Sequence, residues 1–249
     1  MRYLYVCFFT VTLFSNSKAT EKLAISDQLA IRKVITTIAS SDKEAISKIV
    51  DYPLKRQYPL PNIKNEKDFQ ERFEQLFDEA LLKEIKNSSI NRDWAEAGWR
   101  GIMFSNGKLW IDETGKIIAV NYETNKQKQL RKMLVDNERK ALHESLREYE
   151  KPVLRESGKD YEYRVDLLKE KEQNYRLVLW KKGERQNSKP VLVLENGKLK
   201  FDGSGGNHHY IFVKQKLIYV VDAAIVAAKD TPGTRLIIEE KSNSIYSQE

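Results

Sequence analysis

Thiol and imidazole chemistry is scarce in this chain: 249 residues hold one cysteine, Cys7, and three histidines, His143, His208 and His209. Cys7 lies in an apolar stretch at the start of the chain. Loss of that stretch would leave no intramolecular disulfide, no catalytic thiol and no cysteine metal knuckle. No histidine falls before His143, so the first half of the chain has no imidazole acid or base. Long apolar runs are missing too. The apolar stretch covers residues 3–14, and about 12 residues at 1.5 Å each span roughly 18 Å, short of a ~30 Å hydrocarbon core. A concentrated basic stripe is also absent: 43 Lys and Arg stand against 36 Asp and Glu, a net charge of +7 spread along the sequence. Nucleic-acid binding is therefore not expected.

What is present at the N-terminus has the order of an export signal. Arg2 supplies a short positive start, residues 3–14 the apolar stretch, and Ser17 and Ala19 the small residues before a cleavage point. Residues 1–19 are expected to leave as a signal peptide, making the mature protein periplasmic or secreted, with no stable membrane anchor. Cys7 lies too far upstream to carry a lipid after cleavage. Roughly 230 residues remain, enough for one large or two modest cores without disulfides.

Along the mature chain, apolar residues in 27–39 recur at helical spacing (Leu29, Ile31, Val34, Ile35, Ile38). Ser41 and Glu44 form a capping-box pair before a second short helix. Three prolines in 51–62 predict an extended crossing segment. Asn65 then caps a third helix whose apolar face runs through Phe69, Phe73, Leu76, Phe77, Ala80 and Leu81. A three-strand meander over 99–104, 109–111 and 117–120 follows, turning at Asn106-Gly107 and Thr114-Gly115. Residues 123–149 have no Gly or Pro and predict a long, exposed connecting helix. Beyond a boundary at 152–158, short strands are expected at 161–168, 175–180, 191–194, 199–201, 210–213, 217–221 and 235–239, with turns at Asn196-Gly197 and Pro232-Gly233. Residues 223–228 fit either a strand or a short helix. The segments at 104–112 and 194–202 share Asn-Gly-Lys-Leu, which two unrelated hairpins would also share. The fold expected is α+β: N-terminal helices on a curved antiparallel sheet (20–122), a helical connector (123–158), and an antiparallel β sandwich or small barrel (159–249).

Residues 27–122 resemble the NTF2-like, cystatin-like α+β superfamily, through AISKIVDYPL (45–54), FQERFEQLFDEALLKEI (69–85) and GWRGIMFSNGKLWID (98–112). The resemblance implies helices packed on one concave sheet. It also implies an accessory or binding role, since the Asp/His pair of the enzymatic members has no histidine to match here. The C-terminal part is similar to small periplasmic barrels that inhibit lysozyme, through Gly203-Ser204-Gly205-Gly206 followed by Tyr210. Those inhibitors carry a disulfide that this chain cannot make.

Few constellations carry chemistry. In Asp202-Gly203-Ser204-Gly205-Gly206 a glycine, not an aspartate, precedes the serine, so a trypsin-like nucleophile is not expected. His208 and His209 are adjacent and point to opposite faces of a strand, so they cannot chelate one ion together. No metal and no cofactor are expected. Trp94, Trp99, Trp110 and Tyr122 are candidates to line a ligand hollow at the sheet, and Ser204, Asn207, His208, His209 and Tyr210 to form a partner loop.

The functional expectation is a non-enzymatic envelope binding protein, in its most concrete form a protective inhibitor or immunity protein against a cell-wall enzyme. The alternatives are a carboxylate-dependent periplasmic hydrolase, with acids such as Asp112 and Glu113, and a structural envelope component. Fractionation with N-terminal sequencing should find a mature N-terminus at Thr20 in the soluble periplasmic fraction. Intact Met1 in membranes would overturn the export reading.

Overall fold

The computed structural model describes residues 23–202, 207–223 and 234–240. The expected signal peptide, Ser204, the 223–228 alternative beyond Ala223, and the Pro232-Gly233 turn lie outside them. The fold is α+β with two antiparallel sheets, the larger curled into a half-barrel. Among the described residues no helix is long and apolar enough to cross a membrane.

Helix α1 (Ile25–Ala39) buries Ile31, Val34 and Ile38 of the stripe its spacing predicts, with Ile35 partly buried; Leu29, expected in that stripe, faces solvent at 63% exposure, and Ala30 takes the place beside Ile31. Helix α2 (Lys43–Lys48) is capped by Asp42, whose side chain accepts from Glu44 N; Ser41 has φ +55° and is not the cap. The third expected helix is two. Helix α3 (Glu66–Glu71) gives way to a 3₁₀ turn at Phe73–Gln75, and α4 (Glu79–Lys86) restarts with Asp78 accepting from Leu81 N at 3.0 Å. The Arg72 guanidinium donates to Pro61 O and Asn62 O at 2.7 and 3.1 Å, holding the chain at the break. The break lets Phe73 stack on Phe77 at 5.4 Å while Phe69 meets both edge-on. This cluster lies in a core shared with the first sheet.

Helix α5 (Ile90–Asp93) leads into that sheet, which has four strands rather than three: β1 (Trp94–Glu96), β2 (Ile102–Phe104), β3 (Leu109–Ile111) and β4 (Ile117–Val120), in sequential order. The extra strand arises because residues 97–101 turn, with Ala97 N donating to Gly101 O at 2.9 Å. Asn106-Gly107 makes the predicted hairpin turn, at φ +57° and +86°. Pairing of Leu54 with Ile63 closes the proline-rich segment into a loop with Tyr58 near its tip.

Helix α6 (Asn125–Ala141) starts at Thr124, whose hydroxyl accepts from Gln127 N. It is shorter than expected, ending before a 3₁₀ turn at Glu144–Leu146. The expected boundary at 152–158 is instead occupied by β5 (Lys151–Ser157). A sequential meander follows: β6 (Tyr161–Lys169), β7 (Asn174–Lys181), β8 (Leu192–Phe201), β9 (His208–Lys214), β10 (Leu217–Ala223) and β11 (Thr234–Glu240). It is one curled sheet, so the barrel-like alternative holds and the two-sheet sandwich does not. Its inner face gathers Tyr163, Val165, Leu177, Leu179, Tyr210, Phe212 and Val221 into a second core.

The expected turn at Asn196-Gly197 is not a turn. Strand β8 pairs with β7 through Leu192–Leu194 and with β9 through Lys198–Phe201, and at the changeover two residues, Glu195 and Asn196, oppose the single Arg176. This is a bulge, which bends a strand and increases its twist. Asn196 takes φ +62° there, and its N–H donates to Asn174 Oδ1 at 2.9 Å. The glycine that follows is required by packing: a Cβ on Gly197 would sit 2.1 Å from a Phe212 ring carbon. Gly197→Ala should cost about 1–3 kcal/mol in urea unfolding through overpacking. A second change, Phe212→Leu, should recover part of it, and additive losses would show that the ring is not the obstacle.

Candidate functional site

Strands β6 and β7 are covered on both faces, which is why their burial is nearly continuous where a half-barrel strand would alternate. One face joins the inner core. The other meets the C-terminal end of α6 and the turn after it, where Leu142, Leu146, Tyr149, Val178 and Trp180 form a third apolar cluster. On this second face, beside the apolar residues, the sequence places Arg164, Asp166 and Arg176, all buried.

These three make a buried ion-pair chain. Arg164 Nε donates to Asp166 Oδ1 at 2.6 Å, and Arg176 Nη2 donates to Asp166 Oδ2 at 2.7 Å and to Leu146 O at 2.7 Å. The chain continues into α6, because Arg164 Nη1 donates to Glu138 Oε1 at 2.5 Å. Glu138 Oε1 also accepts from the Tyr58 hydroxyl, which reaches it from the proline-rich loop of the N-terminal part. The Tyr149 ring lies 4.9 Å from the Arg164 guanidinium and 4.5 Å from that of Arg139, cation–π distances. Two guanidiniums and two carboxylates leave this core formally neutral.

Burial sets the proton positions. It pushes the Tyr58 hydroxyl well above the ordinary tyrosine range, reinforced by its bond to Glu138, so Tyr58 keeps its proton and donates. Burial also pushes the Asp166 carboxyl upward, against the pull of Arg164 and Arg176. For Arg164, burial works against the charge, but Asp166 and Glu138 outweigh it and the guanidinium is held above its usual value. Satisfaction is incomplete: Glu138 Oε2, Arg164 Nη2, Arg176 Nε, Arg131 Nε and Gln186 Nε2 are buried without a hydrogen-bond partner.

Further bonds seat the loop on α6. Arg131 Nη1 donates to Tyr58 O at 3.1 Å while its Nη2 pairs with Glu123 at 3.0 Å. Arg56 Nη2 donates to Gln127 Oε1 at 2.6 Å. Burial, with Arg72 and Arg131 nearby, pulls the Arg56 guanidinium down to about 10, which leaves it charged at neutral pH.

Two clefts open to solvent on either side of Tyr58 and Pro59. One, of about 500 Å³, is walled by four cations (Lys128, Arg131, Lys132, Lys151) and four carboxylates (Glu123, Asp136, Glu150, Glu170). The other, of about 770 Å³, runs past Leu134, Glu138, Arg155 and Glu162 to the turn at Gly183–Asn187.

The four aromatic candidates do not converge on a hollow. Trp94 is 2% exposed and packs on Phe104 at 4.9 Å, with its indole N–H on Ser88 Oγ. Trp110 alternates to the opposite sheet face, opposite Met103, with its N–H on Gly107 O. The Tyr122 hydroxyl donates to Asp78 at 3.1 Å, at the edge of the N-terminal core. Trp99 alone is largely exposed, at 63%, in the 97–101 turn. There it joins a small acidic recess of about 160 Å³ with Asp27, Glu96, Arg100, Asp112 and Glu113. Asp112 in that recess is committed to its own turn, accepting from Thr114 N and Lys116 N.

The expected partner loop is divided as well. Asn207 accepts from Asp202 N through its backbone carbonyl. His208 turns inward beside Phe201 and Tyr210, and Tyr210 is buried against Tyr175 at 4.8 Å. His209 turns outward, with Nδ1 3.1 Å from Asp202 Oδ2. The opposite facing of the two histidines is the one their adjacency predicts. His143 caps the 3₁₀ turn at Glu144–Leu146.

The junction residues Tyr58, Glu138, Arg164, Asp166 and Arg176 were not among the sequence candidates. The available signal was Arg-Val-Asp inside the strand YEYRVDLLK: charges at alternate positions of a strand whose other face is apolar imply either a wet face or a buried pair. Comparison with protein-family models, with curated proteins and with solved structures finds no match for this chain.

Removing one member of the buried chain leaves the others charged and unpaired. Asp166→Asn should therefore cost about 3–5 kcal/mol. Tyr58→Phe, which deletes one hydroxyl, should cost about 1–3 kcal/mol through the acceptor it abandons. Urea unfolding of both variants measures this, and a Tyr58→Phe loss as large as that of Asp166→Asn would contradict the proposed order.

Proposed function

We propose that this protein is an exported binding protein that engages a macromolecular partner across the junction clefts, and that the partner is a cell-wall enzyme which it restrains. The NTF2-like resemblance of the N-terminal part belongs to this proposal, and helices covering one face of an antiparallel sheet are consistent with it.

The observation that carries the reading is the chemistry of the cleft walls. Small-molecule sites orient their ligand with a few polar groups, whereas the cleft beside α6 carries four cations and four carboxylates around apolar residues such as Pro59, Val135 and Leu167. Mixed charge of that density suits electrostatic complementarity with a protein surface, where it sets specificity and encounter rate. Preorganisation adds to this: Tyr58, Glu138 and Arg164 hold one wall against the other by charge-assisted bonds, so little ordering cost remains at binding. Among the titratable groups described at the junction, Tyr58 is held protonated and Asp166 is bracketed by two guanidiniums, an arrangement that serves rigidity better than proton transfer.

The hydrolase reading has one observation of its own, the acidic recess where Glu96 and Asp27 stand near exposed Trp99. A single assay separates the two. Mature protein beginning at Thr20 is added to muramidases, amidases and transglycosylases acting on dye-labelled peptidoglycan. Inhibition of one of them is expected, weakened about tenfold or more, roughly 1.4 kcal/mol, by Lys128→Glu with Lys132→Glu on the solvent side of α6. Dye release by the protein alone, abolished by Glu96→Gln, would move the assignment to the recess. Neither inhibition nor release across the panel would reject the proposal.

A further inference from the structure

On the outer face of the half-barrel, away from the strands that build the junction, three other side chains meet. His209 on β9 lies directly opposite Asp222 on β10, and direct cross-strand neighbours share a face with Cβ atoms about 4.5–5.5 Å apart. Asp202 follows β8 immediately, and its N–H donates to Asn207 O at 2.8 Å, which extends the β8–β9 pairing by one step. Two residues on from Lys200, the partner of His209, its carboxylate returns to the histidine's face and stands 3.1 Å from Nδ1. One donor atom from each of Asp202, His209 and Asp222 lies within 4.8 Å of the others.

The geometry points to a divalent transition-metal site formed by Asp202, His209 and Asp222. Donors bound to one ion at about 2.0–2.2 Å stand roughly 3–3.6 Å apart. The His209–Asp202 pair, at 3.1 Å, already meets that spacing, and Asp222, within 4.8 Å of both, closes any remaining gap by rotation about its χ angles. The donor set is one imidazole and two carboxylates, whose two negative charges a divalent ion neutralises. Imidazole with carboxylate selects the borderline metals over calcium or magnesium, for which all-oxygen ligation is usual. Three protein donors leave coordination positions open to water.

One group competes with the ion. Arg235 on β11 lies opposite Asp222 and donates to its Oδ2 at 2.6 Å. Its side chain is 51% exposed and that of Asp222 26%, and an ion pair whose guanidinium keeps its contact with solvent holds weakly. The guanidinium can therefore leave for solvent when a cation takes its place. A purely electrostatic ladder of Lys200, His209, Asp222 and Arg235 across four strands would use the same residues but would bind no Zn²⁺, and Arg235→Gln would then only lower the melting temperature.

The test is calorimetric titration of metal-free mature protein with Zn²⁺, alongside His209→Gln, Asp222→Asn and Arg235→Gln, with thermal melts confirming that each variant is folded. One Zn²⁺ per chain is expected. Binding should weaken about tenfold or more in His209→Gln and Asp222→Asn, and should tighten in Arg235→Gln because the competitor is gone. Absence of binding overturns the site. So does Zn²⁺ binding unchanged by His209→Gln, which would place the ion elsewhere, and so does a preference for Ca²⁺ that survives His209→Gln, which would reflect surface acidity alone. Binding that does not tighten in Arg235→Gln would remove Asp222 from the donor set and overturn the site, and no binding with a lowered melting temperature in Arg235→Gln would establish the ladder.

Discussion

Asp166 accepts two guanidiniums inside a protein core, and the architecture depends on where that carboxylate sits. A buried carboxylate without partners costs several kcal/mol, so Arg164 and Arg176 must flank it, and the register of β6 and β7 is what puts them there: Asp166 lies opposite Arg176, and Arg164 is two residues along the same face. A slip of one residue would exchange these charges with Val165 and Leu177, sending apolar groups to the junction and charges into the inner core. The same requirement reaches outward. Arg164 has more donors than Asp166 can accept, so Glu138 on α6 takes one, and Tyr58 then fills the remaining lone-pair direction of the same oxygen. A helix, a loop and a sheet distant in sequence are thereby tied to one charge. Such networks add little net stability over an apolar core, and their value lies in permitting one arrangement.

The parts of the fold legible in the sequence are those set by local signals. Most of the apolar stripe of α1, the Asn106-Gly107 turn and the succession of C-terminal strands each depend on a few neighbouring residues. Asn196-Gly197 shows where such signals stop. The same Asn-Gly-Lys-Leu closes a hairpin at 106–109 and forms a bulge at 196–199, because in the second case Asn174 binds the Asn196 N–H and the Phe212 ring takes the space over Gly197. Both partners come from other strands. The third helix breaks for a similar reason: its apolar spacing is continuous, but Asp78 offers a cap and Arg72 is held by the loop carbonyls of Pro61 and Asn62.

The candidate site was less legible than the fold. Aromatic residues draw attention in a sequence, yet Trp94 and Trp110 belong to opposite faces of one small sheet, and only the register of β1, β2 and β3 reveals it. The groups that matter are separated by up to 118 positions, from Tyr58 to Arg176, and no periodicity links a proline loop to a strand that far away. What the sequence does contain is the anomaly itself, charged residues within strands that are otherwise apolar. Its resolution as a buried pair depends on α6 covering that face.

The two charged clusters of the half-barrel differ in what they can exchange. At the junction, each charge is buried and answered by a protein group, so no ligand can enter without dismantling the pairs; its polar walls can recognise a partner, but its core is closed. On the outer face, Asp202 and Arg235 are half-exposed, and the bond between Arg235 and Asp222 is one that water or a cation can replace. A buried ion pair resists exchange because desolvation has already been offset by its partner, whereas an exposed one keeps its solvent and yields to the stronger ligand. Fixed geometry and exchangeable charge are therefore assigned to different strands: β6 and β7 hold the molecule in one arrangement, while the ends of β8, β9 and β10 remain open to chemistry from solution.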